Sequence, residues 1–448
     1  MKPEAVVVLG LFVSIRHPRL LPAAQERGLV VLGIDEDSPA GRNYDRARKA
    51  DPTHPLSGTV ELAWIDGADR AAVLDTVAEW SARYRIRGVL VFGESFVETG
   101  AVLTDHLGLP GVGLRAGRVC RNKLLQRRFL AEWSPRSVLV DRPGVADWWM
   151  SFPCVLKPLD GQASAGVRRL NTVGDLKEAL ASHTFDTPLL VEELVAGHEV
   201  SVESLVQDGQ IRFAEVTGKL TNEDGGSYFV ELGHTVPDPE LTEEQRAVVL
   251  AINAEVLTRL SFQDGVAHAE YRVAPDGTVR LMEIAARPAG DSIITLYQLA
   301  TGAPMEDAMV AIALGEPFSY PRATRWARQK YLEHRPGVVA GVTADGVGTP
   351  VTWLRERWAF PEVAASMDGP GGVRMIVMGR ARGDRLNEIR SSADRSAMYV
   401  IDAPDPERLT ALTAACDAAI RVDIHTDTDR DIDSDSDTDS EAEETTDA

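Results

Sequence analysis

Cysteines, long apolar runs and basic clusters are all scarce in this chain, and each absence excludes a class of protein. Its 448 residues contain three cysteines, Cys120, Cys154 and Cys416, which are odd in number and not spaced as disulfide partners or zinc ligands. No apolar segment is long enough to span a bilayer, and the opening MKPEAVVVLG predicts a first β-strand rather than a signal peptide. We therefore expect a cytoplasmic protein with reduced thiols and no membrane partner.

Acidic residues outnumber basic ones, and the imbalance is greatest at the C-terminus. The formal net charge is −21, of which residues 423–448 contribute −11 through twelve acidic residues and one arginine, leaving −10 for the rest of the chain. The terminal segment has almost no apolar residues, which predicts a disordered, solubilising tail. It lacks the glycine and distal glutamate of an EF-hand loop, so a calcium site is disfavoured. No basic stripe occurs elsewhere, which argues against a nucleic-acid partner.

The first hundred residues alternate apolar strands with amphipathic helices. The runs VVVLG, LVVLGID and GVLVFGE, which begin at Val6, Leu29 and Gly88, predict a β-α-β-α-β unit with a parallel sheet. The loop after the first strand, GLFVS, lacks the G-x-G-x-x-G spacing of a dinucleotide site, so an NAD-binding domain is disfavoured. Later segments combine helices with strands joined by tight turns, so the predicted fold class is α/β and α+β.

The segment from His268 to Gly290 places two glutamates on neighbouring predicted strands. Glu270 and Glu283 are thirteen residues apart (283 minus 270), and the runs AEYRV and VRLMEI flank a PDG turn between them, which predicts a β-hairpin. Paired carboxylates on adjacent strands suit a hard divalent cation such as Mg²⁺, and Arg287 is near enough to stabilise a transferring phosphoryl group. A surface hairpin with solvated charges is the alternative that this segment leaves open.

A second candidate site combines a lysine with a glycine-containing loop. Lys157 ends the predicted strand CVLKP, and the loop DGQASAG (residues 160–166) follows, so a cation and free backbone N–H groups are expected together, as phosphate binding requires. The two glycines have the spacing of a Walker loop, but Val167 and Arg168 follow where that motif has Lys and Ser or Thr, which excludes P-loop chemistry. The alternative is a hairpin turn with a snorkelling lysine.

Two further features are ambiguous by themselves. Lys123 lies in the predicted helix RVCRNKLLQRRFLAEW, where most lysines face solvent. The predicted strand PLLVEELV stops at Glu192, Glu193 and Leu194, so its last main-chain groups are candidates for an adenine edge, and Glu199 is a candidate acceptor for ribose hydroxyls.

The order of these features resembles that of the ATP-grasp superfamily. The resemblance rests on Lys123, on Lys157 with its loop, on EELVAGHE and on the hairpin carboxylates with Arg287, and it covers roughly residues 115–320. Many members carry an asparagine where this chain has Ala285, a departure that bears on metal stoichiometry. The segments EIAAR, YFVELGHTVP and ARPAGDSIITLYQLATG are similar to the branch that contains L-amino acid ligases and other carboxylate–amine ligases.

The resemblance implies an ATP-grasp fold in which ATP lies between two α+β subdomains. The implied residue roles are phosphate contacts at Lys123, Lys157, Ser164, Ala165 and Gly166, adenine contacts at Glu192, Glu193 and Leu194, a ribose contact at Glu199, Mg²⁺ or Mn²⁺ at Glu270 and Glu283, and catalysis by Arg287 and Lys157. Substrate contacts are expected at Glu231, His234 and Arg287, although a loop histidine is also a common structural residue. Asp291 has a simpler interpretation as the N-cap of the helix SIITLYQLA.

The implied domain organisation follows the same order. The predicted divisions are an N-terminal α/β pre-ATP-grasp domain (residues 1–114), ATP-grasp subdomain A (115–190), ATP-grasp subdomain B (191–320), a C-terminal α+β unit (321–422) and the acidic tail (423–448). We expect the C-terminal unit to form a small sheet packed back on the rest.

The implied activity is ligation of a small-molecule carboxylate to an amine such as an amino acid, through an acylphosphate, with release of ADP and phosphate. One alternative is a biotin-carboxylase-like enzyme that makes carboxyphosphate from bicarbonate. A second is a non-catalytic nucleotide-binding protein, which would be expected to have lost a phosphate lysine or a metal carboxylate. The sequence names neither substrate, and it leaves the oligomeric state open, with a homodimer among the options.

Overall fold

The computed structural model describes residues 1–144, 148–159, 166–181, 183–223 and 229–425. The described strands form four sheets, of four, nine, three and four strands. Ser164 and Ala165 of the predicted phosphate loop, and residues 426–448 of the predicted tail, lie outside the described residues.

The N-terminal unit is a four-stranded parallel sheet with strand order β3-β2-β1-β4. Its elements are β1 (Glu4–Leu9), α1 (Leu20–Gln25), β2 (Val30–Asp35), α2 (Pro39–Ala50), β3 (Thr59–Trp64), α3 (Arg70–Arg83), β4 (Arg85–Val91) and α4 (Val97–Leu107). Alternate residues of β1 enter two separate cores, Val6 and Val8 on one face and Val7 and Leu9 on the other, which explains why β1 is apolar throughout. The edge strand β3 is absent from the sequence prediction, because it is mostly half-buried and carries no continuous apolar run.

The second unit is a four-stranded antiparallel sheet with strand order β5-β8-β6-β7. Its elements are α5 (Leu114–Cys120), α6 (Lys123–Phe129), β5 (Ser137–Val140), β6 (Cys154–Pro158), β7 (Arg168–Leu170), α7 (Val173–Ala181) and β8 (Leu189–Glu193). The single helix predicted over RVCRNKLLQRRFLAEW is wrong. Two helices meet there, because Asn122 is extended and its side chain accepts a hydrogen bond of 3.0 Å from Leu125 N, which caps α6.

The third unit begins the nine-stranded sheet. Its elements are β9 (His198–Gln207), β10 (Gln210–Thr221), β11 (Glu231–Val236), α8 (Glu243–Arg259), β12 (Gly265–Val273), β13 (Val279–Ala285), α9 (Ile293–Thr301) and α10 (Met305–Leu314). A turn at Asp208 and Gly209 joins β9 to β10, and both residues have positive φ, as a tight hairpin requires. The helices α9 and α10 are buried almost all round, because α10 packs on both β4 and α1 while α9 packs on β11 and β14.

The C-terminal unit continues the same sheet. Its elements are β14 (Trp326–Tyr331), β15 (Gly337–Ala344), β16 (Val351–Trp353), α11 (Leu354–Arg357), β17 (Gly372–Met378), β18 (Arg385–Leu386), β19 (Ala397–Ala403), α12 (Pro406–Ala419) and β20 (Ile420–His425). The strand order β13-β12-β9-β10-β11-β14-β19-β17-β16 shows that four of its strands extend the large sheet, and only β18-β15-β20 form a small one. The prediction of a separate small sheet is therefore wrong for most of this unit.

The last strand extends past the predicted start of the acidic tail. The strand β20 includes residues 423–425, which the sequence analysis assigned to the acidic tail, because Asp423 and His425 pair with β15. The predicted tail therefore begins too early, and the other predicted domain divisions stay predictions. None of the helices in the described part of the chain has the length and hydrophobicity needed to cross a bilayer.

Candidate active site

A cavity of about 470 Å³ lies between the sheet of β5 to β8 and the nine-stranded sheet. Its volume falls in the range of sites that enclose a small molecule. Every predicted site residue that the structure describes lines this cavity, with the exception of Gly166. These residues are Lys123, Lys157, Glu192, Glu193, Leu194, Glu199, Glu231, His234, Glu270, Glu283 and Arg287.

The predicted carboxylate hairpin is present at the floor of the cavity. Glu270 on β12 and Glu283 on β13 are directly opposite each other in the antiparallel register, so their side chains share one face. Lys123, the first residue of α6, places its Nζ 3.1 Å from Glu283 Oε1. Ala285 lies on the same strand as Glu283 and is buried, and its methyl side chain offers no metal ligand.

Lys219 on β10 forms ion pairs with three carboxylates beside this hairpin. Its buried Nζ lies 2.5 Å from Glu231 Oε1, 2.8 Å from Glu270 Oε1 and 3.2 Å from Glu199 Oε1. Burial by itself would raise the pKa of Glu270, but Lys219 and the neighbouring His268 hold it well below its usual range. The carboxylate of Glu270 is therefore ionised at neutral pH and available as a metal ligand.

His268 completes the electrostatic surroundings of Glu270. Its Nδ1 lies 2.9 Å from Glu203 Oε1 and its Nε2 lies 3.2 Å from Glu270 Oε1. Burial alone would lower the pKa of His268, but Glu203 and Glu270 raise it to about 10. A protonated His268 therefore donates to both carboxylates and fixes the orientation of Glu270.

The side-chain chemistry at this place fits a divalent cation. Two carboxylates from adjacent strands provide hard oxygen ligands, and Mg²⁺ typically takes one or two such carboxylates together with waters and substrate phosphates. The oxygens of Glu199, Glu231 and Glu270 also lie within 4.8 Å of one another. Lys219 pairs with all three of those carboxylates, whereas Glu283 lies outside that cluster and directly opposite Glu270, so Glu270 and Glu283 are the better-placed pair.

Lys157 forms a buried ion cluster at the other wall of the cavity. Its Nζ lies 2.6 Å from Glu192 Oε2, and Arg127 Nε lies 2.6 Å from Glu192 Oε1. Burial, reinforced by Arg127, lowers the pKa of Lys157 to about 8 despite the opposing effect of Glu192. Burial alone would raise the pKa of Glu192, but the two cations lower it to about 2. The Glu192 carboxylate is thus committed to these cations, and only its main chain is left for an adenine ring.

The other predicted nucleotide residues are also held by neighbours. Glu193 accepts from Arg136 Nε at 2.8 Å and Glu199 accepts from Arg272 at 2.6 Å, and both glutamates still line the cavity. Gly166 has a φ of +74°, and a Cβ added there would lie 2.9 Å from Pro158. This conformation strongly favours glycine at the end of the predicted loop.

Arg287 is positioned by the N-terminal unit. Its Nε donates to Glu94 Oε2 at 2.6 Å, and Glu94 begins the 3-10 helix Glu94–Phe96 that follows β4. Gly10 follows β1, and Gly93 is the residue before Glu94. The two glycines pack so closely that a Cβ on Gly10 would lie 2.3 Å from Gly93 N. The carboxyl ends of β1 and β4 therefore bring Glu94 to the cavity, at the edge of a parallel sheet where ligands usually bind.

Asp291 joins three other elements at the same side of the cavity. Its carboxylate accepts from Arg395 Nη1 and Nη2 at 2.9 Å each and from Tyr331 Oη at 2.9 Å, and it lies 3.0 Å from His234 Nε2. The N-cap role predicted for Asp291 is wrong, since the cap position of α9 is Ser292 and no side chain caps it. We call Asp291, His234, Tyr331 and Arg395 the Asp291 cluster.

Residues 150–296 match the model of the family described as the ATP-grasp domain. These residues form an ATP-grasp domain. The family predicted from the order of lysines, glycine loop and carboxylates is therefore confirmed.

Relatives and solved structures extend the likeness over most of the chain. The uncharacterized protein y4rH of Sinorhizobium fredii (strain NBRC 101917 / NGR234) is 26% identical over 440 residues, which cover 88% of this chain and 89% of that protein. The alanine–anticapsin ligase of Bacillus subtilis is 22% identical over 338 residues, which cover 67% of this chain and 68% of that enzyme. The crystal structure of an L-amino acid ligase from Bacillus licheniformis has a TM-score of 0.72 at 20% identity and covers 95% of this chain and all of that one (100%). The predicted fold class and the ATP-grasp ligase class of enzyme are confirmed.

Sequence reasoning missed several residues around the ATP-grasp site. Glu94 could have been predicted from the sequence, because it follows an apolar parallel strand at the edge where such sheets bind ligands. Lys219 lies in the segment QIRFAEVTGK, which carries no local signal for a buried ion cluster. Arg16 and Arg395 reach the cavity only because the chain ends fold against it.

Proposed function

We propose that this protein ligates a carboxylate to an amine, with conversion of ATP to ADP and phosphate. The observation that carries the proposal is the meeting of Lys123, Lys157, Glu270, Glu283 and Arg287 in one cavity of an ATP-grasp domain. The likeness to an alanine–anticapsin ligase supports amide formation. The proposed substrates are a small-molecule acid and an amino acid or a similar amine.

The nucleotide is proposed to lie along the wall formed by β6 and β8. Lys123 and Lys157 contact its phosphates, and the glycine loop that ends at Gly166 covers them. The segment Glu192 to Leu194 faces the adenine, and Glu199 faces the ribose. The Lys157–Glu192–Arg127 cluster supports this arrangement, because two buried cations around one carboxylate leave a net positive charge for a phosphate.

Glu270 and Glu283 are proposed to hold Mg²⁺, or Mn²⁺ in its place. A bound divalent cation would supply charge neutralisation for the triphosphate. Their opposed register on β12 and β13 is the feature that suits them to the task.

The first proposed step forms an acylphosphate. A carboxylate oxygen of the acid attacks the γ-phosphorus, the bond from that phosphorus to the bridging oxygen breaks, and ADP leaves with the bonding electrons. Arg287 and the two lysines stabilise negative charge on the transferring group. Glu94 holds the Arg287 guanidinium in place for this role, through the 2.6 Å hydrogen bond.

The second proposed step forms the amide. The amine nitrogen attacks the acyl carbon, the bond from carbon to the phosphate oxygen breaks, phosphate leaves, and the nitrogen loses a proton. Glu231 and His234 are the proposed substrate contacts. His234 supports this role, because it is 2% exposed and its Nδ1 has no hydrogen-bond partner among the described residues while its Nε2 is held by Asp291.

The experiment is ADP and phosphate release from ATP and Mg²⁺ across single amino acids, amino-acid pairs and bicarbonate alone, with product masses measured. We expect release that requires an acid and an amine together and yields a condensed mass. Release with bicarbonate alone would favour the carboxylase alternative, and ATP binding without release in any well would favour a non-catalytic protein.

A variant tests the metal assignment. Glu283→Ala should abolish turnover while leaving the fold intact, because it removes one of the two opposed carboxylates. Glu255→Ala, an exposed glutamate on α8, is the matched control and should keep full activity. Normal turnover by Glu283→Ala would overturn the assignment.

A further inference from the structure

The cationic side chains that line the cavity are nearly all ion-paired within the described part of the chain. The pairs are Lys123 with Glu283, Lys157 with Glu192, Arg272 with Glu199, Arg287 with Glu94, and Arg395 with Asp291. Arg16 differs, because no described carboxylate lies within ion-pairing distance of its guanidinium, although it lines the same cavity. A cavity-lining guanidinium that the described fold leaves without an anion is suited to bind one from a ligand.

Arg16 is held in place by its surroundings rather than by an ion pair. It is the last residue of the 3-10 helix Val13–Arg16, and its neighbours Ile15 and His17 are buried. Its Cζ lies 5.7 Å from the centroid of the Phe360 ring in the C-terminal unit. The backbone is therefore fixed, and the half-buried side chain stays available to the cavity.

The position of Arg16 is on the substrate side of the cavity. Its helix follows β1, and Glu94 follows the adjacent β4, so both residues lie at the carboxyl edge of the parallel sheet. The Asp291 cluster is also near. Burial raises the pKa of Asp291, but Arg395, His234 and, with a smaller effect, Arg16 lower it well below its usual range. Because Arg395, Tyr331 and His234 already occupy the Asp291 oxygens, Asp291 is not the counter-ion that Arg16 lacks.

We propose that Arg16 binds the α-carboxylate of the amine substrate, so that the amine is an amino acid rather than a simple amine. The inference rests on the proposed function, in which the carboxylate of the acid substrate is consumed beside Arg287. A second carboxylate in the cavity then needs a second cation. Arg16 meets that need at the substrate side, away from the lysines on the nucleotide wall.

The test compares each amino acid with its carboxamide as the amine substrate, for example L-phenylalanine with L-phenylalaninamide. The acid substrate is kept the same and is one that supports ADP release in the experiment above. The wild-type protein should prefer the amino acid. Arg16→Met should raise KM for the amino acid by about tenfold or more, the effect of losing one charge-assisted pair, and leave KM for the amide unchanged. Arg16→Lys should recover part of the preference.

Two controls separate the possible causes. Arg19→Met, three residues on, changes an arginine that is paired with Glu26 and Asp307 outside the cavity, and it should behave as wild type. Hydroxylamine, an uncharged nucleophile, traps the acylphosphate as a hydroxamate, and its product should form equally in wild type and Arg16→Met.

The outcomes are distinct. A preference for the amino acid that survives Arg16→Met overturns the role of Arg16, and so does a parallel loss of hydroxamate, which would place Arg16 in the first step or in the fold. A wild-type protein that prefers the amide also overturns it. Absence of hydroxamate from wild type with every acid overturns the proposed ligase function itself.

Discussion

Glu306 offers a stability prediction whose size follows from its surroundings. It lies in the first turn of α10, is 2% exposed, and its Oε2 has no hydrogen-bond partner among the described residues. Burial, with a smaller effect from Asp307, raises the pKa of Glu306 from 4.5 to about 7. The folded protein therefore favours the protonated form of this side chain.

The sign and size of the effect follow from proton linkage. Below pH 4.5 both the folded and the unfolded chain carry the proton, and Glu306 causes no loss of stability. Between pH 4.5 and about 7 the unfolded chain releases the proton first, so the free energy of unfolding falls as pH rises. At about 1.4 kcal/mol per pKa unit, the complete loss above pH 7 is about 3 kcal/mol.

Urea unfolding of wild type and Glu306→Gln at pH 4.5, 6 and 8.5 measures this loss. Other groups titrate over the same range, so the quantity of interest is the difference between the two proteins. We expect wild type to lose about 3 kcal/mol more than Glu306→Gln between the lowest and highest pH. Glu243→Gln, an exposed glutamate in the first turn of α8, should run parallel to wild type. If wild type and Glu306→Gln also run parallel, the raised pKa is refuted.

Two further substitutions test the geometry around the cavity. Asp291→Asn keeps the φ of +53°, which asparagine tolerates, but it removes the negative charge that pairs with Arg395. We expect the free energy of unfolding to fall by about 3–5 kcal/mol, because the arginine is left buried without its counter-ion. An unchanged melting temperature would contradict this. Gly10→Ala forces a Cβ against Gly93 at a φ of +78°, and it should lower both stability and turnover by displacing Glu94. The control Gly28→Ala has a φ of +74° and no atom within 4 Å of the new Cβ, so it should lower stability only. Equal turnover in the two variants would rule out the displacement of Glu94.

The parts of the site that the sequence predicted are those made by local patterns. The hairpin of Glu270 and Glu283 is one such part, because two alternating runs and a PDG turn define the pairing of the strands and the face on which each side chain lies. Lys157 is another, because it ends an apolar strand beside a glycine loop. In each case, residues close in sequence determine where the side chain points.

The parts that the sequence did not predict depend on distant contacts. Glu94 meets Arg287 across 193 positions, and Arg395 meets Asp291 across 104. Neither pairing leaves a local signal, since an arginine near a glutamate is common on any surface. The break between α5 and α6 was missed for a different reason, because the apolar spacing continues through Asn122 and only its capping hydrogen bond ends the pattern.

The continuity of the large sheet has a consequence for modular engineering. The strand β11 carries Glu231 and His234, and it pairs with β10 on one side and with β14 on the other. Removing or exchanging the chain after residue 320 would strip β14 away and leave the strand that carries the proposed substrate contacts as an open edge, prone to pair with another molecule. A replacement for the C-terminal unit must therefore bring a strand that matches β14, or β11 is left without its partner.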